Sequence, residues 1–440
     1  MYPNPQDALP LPPRPNAEQY RKLAKDLVKA CRSGDPDAIG SWAVRWIERL
    51  AAMERDSGAF PDKRDIDERA RAVAEFARTK LAGGNEPDAV CALSDAQFVI
   101  ARAHGFLSWP KFISHVDSLA STSSSIAAFE AAALAIVTGD AATLTRLLRE
   151  HPELIRARST REHRATLLHY VAANGVENYR QVSPKNIAEI TRILVDAGAD
   201  VEAEADVYGG GCTALGLVAT SEPPAAAGVQ LQVIDVLLER GASMDHPGSA
   251  GNNHALIRAC LANGQPDAAE YLARRGAPLD LPGAAGLGRV DELARFFDES
   301  DAPRAGATKA QMKDALALAS TYGRTRAVEF LLDRGMEVDE ELRGHGEGHT
   351  ALHVAAFHGH ADVVDLLLRR GASVHAIDKT WGTPPLLWAL TGWTHRSEPD
   401  PSYYDVIARL VGAGAQVRPD AFEWDKVRAD PKMLAALKAM

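Results

Sequence analysis

The sequence is poor in the features that would place it quickly. Its four cysteines, Cys31, Cys91, Cys212 and Cys260, are far apart, and none stands in a C-x-x-C pair. That excludes a common zinc framework and fits free thiols in a reducing cytoplasm better than a disulfide scaffold. No apolar run reaches the length of a membrane span, and the first residues, MYPNPQDALPLPPRP, lack the basic start and apolar core of a secretory signal. The expectation is a cytoplasmic chain with no membrane association. There is no G-K-[ST] phosphate loop, no nucleophile elbow and no H-E-x-x-H, so no reaction, cofactor or metal is indicated by motif. Aromatic residues are scarce, at 6%. A basic block is missing too. Residues 1–120 carry 17 basic and 17 acidic residues, which leaves 32 basic and 42 acidic for the rest and a net charge of -10. An acidic body disfavours nucleic acid and anionic membrane as partners.

What is present is a repeated pattern. The segment Gly348–Ala376 reads GHTALHVAAFHGHADVVDLLLRRGASVHA. Thr350 can cap a short helix that carries Leu352, Ala355 and Ala356, and Gly359 ends it. Val363, Val364, Leu366, Leu367 and Leu368 make a second amphipathic helix, which Gly371 stops. Neither helix can bury its apolar face alone, so copies must stack. With Thr350 to Ala355 in the T-P-L-H-x-A slots, Gly359-His360 in G-H and Leu366 to Ala372 in L-L-L-x-x-G-A, the segment resembles the ankyrin repeat.

Further copies keep the same ruler of about 33 residues. They are Ile126–Ala157; Thr166 to Asp200; Thr213 to Ala242; about Asn252–Leu281; a shortened LPGAAGLGRVDELARFFDE; Thr308–Asp339; the segment above; and Gly382 to Ala415. The fold expected is all-α, an ankyrin-repeat solenoid of about eight repeats over residues 126–420, preceded by a small helical domain. Residues 421–440 should form a capping helix, Asp430–Met440.

Ahead of the repeats, residues 1–15 hold six prolines and read as an extended tail. Helices are expected from Asn16 to Gly34 with an Asn16/Gln19 capping box, after Asp35-Pro36 with Trp42 and Trp46, and from about Asp65 to Leu81, closed by Gly83-Gly84. Two more come next, one with a Ser94/Gln97 capping box and one capped by Ser108. These helices make up the domain expected over residues 16–120, and about residues 16–119, sharpest over LSDAQFVIARAHGFLSWPKFISHV, resemble a helical module that precedes ankyrin repeats in bacterial proteins. That resemblance implies a bacterial origin. Ser121–Ser125 reads as a linker.

Candidate functional residues lie where the repeat breaks its own pattern. Long inserts interrupt three copies: Asn174 to Ile187, Thr220 to Val229 and Gly392 to Tyr404. The first two belong to neighbouring copies and should form one lip. In the first, Asn174, Glu177, Tyr179 and Arg180, with His169 and Tyr170 just before them, could orient a small polar ligand or perform acid–base chemistry. In the turn AEADVYGGGCT, Asp206 and Tyr208 precede three glycines that allow close approach of a ligand. His358, Asn174, Asn263 and Tyr322 each precede the glycine that ends a first helix, and form a column along the groove edge. Trp381, Trp388 and Trp393 cluster near the last repeat, with Trp388 expected on the groove wall. His169, Glu177, Tyr179, Arg180 and His358 are the catalytic candidates. The five histidines His345, His349, His353, His358 and His360 are read mainly as repeat consensus, not as a metal site.

The resemblance to ankyrin arrays implies a binding protein that recognises a partner, a protein first, on its groove. The alternative is a small polar ligand or substrate in a pocket formed by the first two inserts, lined by Tyr170, Glu177, Tyr179 and Arg180.

Overall fold

The computed structural model describes all residues except 1–3, 13, 54–61, 83–90, 122–123, 247, 249, 252–254, 301, 305–306, 343–347, 397–399 and 439–440. The helix stop expected at Gly83-Gly84, the repeat start at Asn252, His345, the middle of the Ser121–Ser125 linker and the last two residues therefore lie outside the described residues. The chain forms two compact units, Met1–Leu256 and Ile257–Met440. This division falls inside the repeat array, and the N-terminal helices share a unit with the first repeats.

In the first unit, the helices Ala17–Cys31, Ala38–Met53, Lys63–Leu81, Leu93–Ala103 and Trp109–Leu119 enclose Tyr20, Leu27, Trp42, Trp46, Ile47, Val73, Ile100, Phe106 and Phe112. Two of the expected capping boxes are not formed. The Asn16 side chain accepts from the Glu18 amide. The fourth helix starts earlier than expected, so Ala92 is the N-cap and Ser94 is already helical. The proline-rich start is not a free tail either. After a short 3-10 turn, Pro5–Asp7, Leu9 is buried. Its amide donates to Ala103 O at 2.8 Å, and its carbonyl meets His104 Nδ1 at 3.0 Å. An apolar residue placed among prolines costs little entropy to dock.

A further correction concerns the cysteines. Cys31, at the end of the first helix, and Cys91 form a disulfide across a separation of 60 residues, while Cys212 and Cys260 remain free and buried. Sequence spacing hid the pair because the fold, not the local chain, brings the two Cα atoms to 5.8 Å.

The repeats are built as helix pairs. Ser125–Thr138 pairs with Ala141–Glu150. The second copy opens with a 3-10 helix, Leu167–Ala172, before Ile187–Asp196, and the third is Ala214–Ala219 with Gln230–Glu239. In the second unit the pairs end with Lys309–Thr321 and Thr325–Asp333, Ala351–Phe357 and Ala361–Arg369, and Pro385–Thr394 and Ser402–Gly412. Leu316, Leu331, Leu352, Val363, Leu367, Leu390, Ile407 and Leu410 join one core. The expected capping helix is shorter, Pro431–Ala436, with Asp430 as its N-cap. Met433 and Leu437 join the same core.

Polar braces tie repeat to repeat. His353 Nδ1 accepts from the Thr350 amide at 3.1 Å, and its Nε2 donates to Thr383 O at 3.2 Å. His169 does the same with the Thr166 amide and Cys212 O. Burial pushes both imidazoles down, to about 4, which keeps them neutral braces at neutral pH. His360 Nε2 donates to Thr321 O at 2.7 Å.

This packing makes two predictions. Gly392 lies inside a helix, where alanine ordinarily adds up to about 1 kcal/mol. Here a Cβ would collide with the Phe357 carbonyl, so Gly392→Ala should lower the urea midpoint instead. Reduction, or Cys31→Ser, should destabilise the first unit by about 4 kcal/mol on the loop-entropy scale for a closed loop of this length. Thermal melts with and without reductant test this, with thiol counting to establish the starting state.

Candidate functional site

Two places gather the residues that the sequence singled out. The first is a buried ionic cluster around the insert of the second repeat. Glu177 sits at the start of a 3-10 turn, Asn178–Arg180, and is fully buried. Its Oε1 pairs with Arg161 Nε, lies 3.4 Å from Arg180 Nη1 and 3.6 Å from His163 Nε2. Arg180 Nη2 reaches Glu130 Oε2 at 2.6 Å, and Arg161 Nη2 lies 3.5 Å from the same oxygen and 3.3 Å from the Tyr179 hydroxyl. Two carboxylates therefore face two guanidiniums, and the charges balance. Burial pushes both carboxyls up, but Arg161 and Arg180 more than reverse it and hold Glu177 well below the usual range. Burial likewise raises the Tyr179 phenol to about 12.

The charges that the sequence offered to a ligand are thus spent on one another. Tyr170, expected to line a ligand pocket, is fully buried, with the Arg180 guanidinium 5.7 Å from its ring centre. His169 is taken up by its brace. The two inserts do lie side by side: Lys185 Nζ donates to Ala227 O at 2.6 Å, and Asn174 Nδ2 to the Thr220 hydroxyl at 3.3 Å. Asn174 Oδ1 also accepts from the Tyr208 hydroxyl at 2.6 Å. The glycines after Tyr208 all take positive φ, as does Tyr208 itself. Asp206 is exposed and 3.8 Å from Arg164. Sequence reasoning missed Glu130, Arg161 and His163 because none occupies a consensus or insert position. Their only signal was a charge inside an otherwise Ala-rich helix for Glu130.

The second place is in the second unit, between the first helices of the last two repeats. A cleft of about 500 Å³ is lined by Val354, Phe357, His358, Trp381, Thr383, Leu387, Trp388, Thr391 and His395. It gathers three of the sequence candidates, His358, Trp381 and Trp388. Trp393 is buried in the core instead, with Lys426 Nζ 4.7 Å from its ring centre. Asn263 is exposed; its side chain donates to Ala259 O. Tyr322 donates to Leu261 O. Neither lines this cleft.

Trp388 is not the exposed wall that its position implied. It is 6% exposed and forms the floor. Its Nε1 donates to Asp378 Oδ2 at 3.2 Å and meets the Thr383 hydroxyl at 3.1 Å. His349 stacks on it at 5.6 Å. Trp381 stands at 68° to the floor with ring centres 5.4 Å apart, and Phe357 at 78° and 6.0 Å. Trp381 is 61% exposed and Ile377, in the same turn, 54%. Asp378 organises this corner. Its carboxylate accepts from the amides of Thr380, Trp381 and Thr383 and from the Thr383 hydroxyl, besides the indole. Burial pushes it up, but these donors hold it well below the ordinary range, so it is ionised at neutral pH. The Asp-x-x-x-Gly-Thr spacing before a helix was the signal that could have found it.

No group of His, Cys, Asp and Glu among the described residues is arranged to hold a metal ion, and no described helix is long and apolar enough to cross a membrane. The family model for ankyrin repeats matches residues 284–378 in three copies, and this segment is built of ankyrin repeats. No curated protein matches the chain. Among solved structures, the crystal structure of the human ASB11 ankyrin repeat domain is similar, at 20% identity and a TM-score of 0.33, covering 66% of this chain and 98% of that one.

The ionic cluster yields a prediction. Replacing Glu177 by Gln leaves two buried guanidiniums facing one carboxylate. That should cost about 3–5 kcal/mol, the range for breaking a buried pair, read by urea unfolding. The depressed carboxyls contribute stability above the unfolded glutamate value of about 4.3 and lose it as pH falls through their folded values. Glu177→Gln should therefore flatten the acid limb of stability against pH.

Proposed function

We propose that this is a binding protein whose partner is another protein, engaged through the aromatic cleft of the last two repeats. Ankyrin repeats commonly serve as protein-interaction modules, and residues 284–378 carry that pattern. The observation that supports this place over others is the pairing of an exposed apolar turn, Ile377 and Trp381, with an adjoining cleft of ligand size. A large, exposed aromatic beside a concave apolar site is the usual form of a binding hot spot. The insert cluster supports a catalytic or ligand-binding role less well, because its charged groups are neutralised internally.

The test is a photo-crosslinking residue at position 381, compared with one at Leu134, which is also exposed but lies in the other unit. A defined protein should crosslink at 381 alone. Trp381→Ala should weaken its binding by about 2 kcal/mol or more, the hot-spot scale, without moving the melting temperature. Equal crosslinking at both positions, or undiminished binding by the variant, would count against this surface.

A further inference from the structure

The same cleft has a chemistry more specific than apolar contact, and assigning it a guest rests on its being the binding site. Its rings are arranged as a box. Trp388 is the floor, and Trp381 and Phe357 stand on it at 68° and 78°, with His358 and His395 also lining the space. The faces of such rings carry negative potential and attract cations. The ionised Asp378 carboxylate accepts the floor indole's N–H from behind, which adds negative charge to the same wall. None of the lining residues is a lysine or arginine. Lys379, next to Asp378 in the chain, is paired with Glu341 at 2.7 Å. The electrostatics thus favour a positive guest.

The hydrogen-bonding capacity decides which positive guest. The walls offer few acceptors to a cation that brings several donors: no carboxylate lines the cleft, His395 Nδ1 is bonded to Thr391 O, and the hydroxyls already carry bonds of their own. The Thr383 hydroxyl donates to Asp378, the Thr391 hydroxyl donates to Leu387 O, and the Trp388 N–H is used. A lysine ammonium brings three donors and an arginine guanidinium five. Each donor left unpaired in a desolvated site carries its full desolvation penalty. A cation whose nitrogen is fully alkylated brings no donor and presents only methyl groups to the rings.

We propose that the Trp381–Trp388–Phe357 box is a binding site for a quaternary ammonium group, of the kind carried by a trimethylated lysine side chain or a choline-type metabolite. The group enters with its methyl groups against the three rings, and the remainder of the side chain or metabolite occupies the rest of the 500 Å³.

The experiment is a proton NMR titration of the full chain with choline and with 3,3-dimethylbutan-1-ol, in which carbon replaces the charged nitrogen at the same shape. The expected result is an upfield ring-current shift of the N-methyl signal. Choline should bind about tenfold tighter than the neutral alcohol, as cation–π attraction in a desolvated site implies, and this preference should be lost in Trp381→Ala but largely kept in Trp381→Phe. A neutral peptide carrying one trimethylated lysine, run beside free choline, distinguishes the two sources: the tighter binder identifies where the group comes from, and either result supports the box. Equal or tighter binding of the alcohol overturns the proposal and leaves the cleft as an apolar docking site. No shift with either compound, or an undiminished preference in Trp381→Ala, also overturns it. The crosslinking result at position 381 is independent of all these outcomes.

Discussion

The repeats depend on one constraint: a helix of five to fourteen residues with a single apolar face is not stable by itself. It persists only when the neighbouring pair covers that face. The cost of stacking is that backbone carbonyls at the turns are taken from water, and the chain meets it with buried side-chain donors. His169 and His353 each reach from one repeat to the carbonyl of the next, at Cys212 and Thr383. Because burial keeps these rings neutral, the braces hold across the physiological range without an ionic cost.

The same requirement explains the ionic cluster of the first unit. Glu130 and Glu177 meet Arg161 and Arg180 where the loop before the second repeat packs on the helices ahead of the repeats. Arg161 also donates to His104 O, and Arg102 pairs with Glu162 at 2.6 Å. A balanced set of four buried charges adds little net stability. It is intolerant of misplacement, however, since any shift leaves a charge unpaired. It therefore fixes how the second repeat's insert sits, and its removal is costly even though its presence is nearly neutral.

Asp378 has the corresponding role in the second unit. One buried carboxylate orders the turn, presents Trp381 to solvent and fixes the Trp388 indole through its N–H. A structural turn thereby becomes the frame of an aromatic box. The regular seventh repeat, which makes the pattern recognisable, supplies only one side of it. The other side comes from the eighth, where Trp388 and Leu387 stand in the first helix.

The helix pairs were legible in the chain, because apolar spacing, threonine caps and terminal glycines are local signals, even though the stability of each helix comes from its stacked neighbours. The sequence by itself also marked His353 and His360 as repeat consensus positions, and the slot of His353 recurs at His169. The three-dimensional arrangement decided what depends on burial. Glu177 and Arg180 look like ligand-binding groups in the linear chain and are internal ion-pair partners in the fold, because Glu130 and Arg161 arrive from elsewhere. Trp388 and Trp393 share a helix, yet one floors a cleft and the other fills the core. Cys31 and Cys91, separated by two helices in the chain, meet only because those helices fold back. Charge, exposure and thiol pairing are properties of neighbourhood, and for these residues the neighbours are remote in the chain.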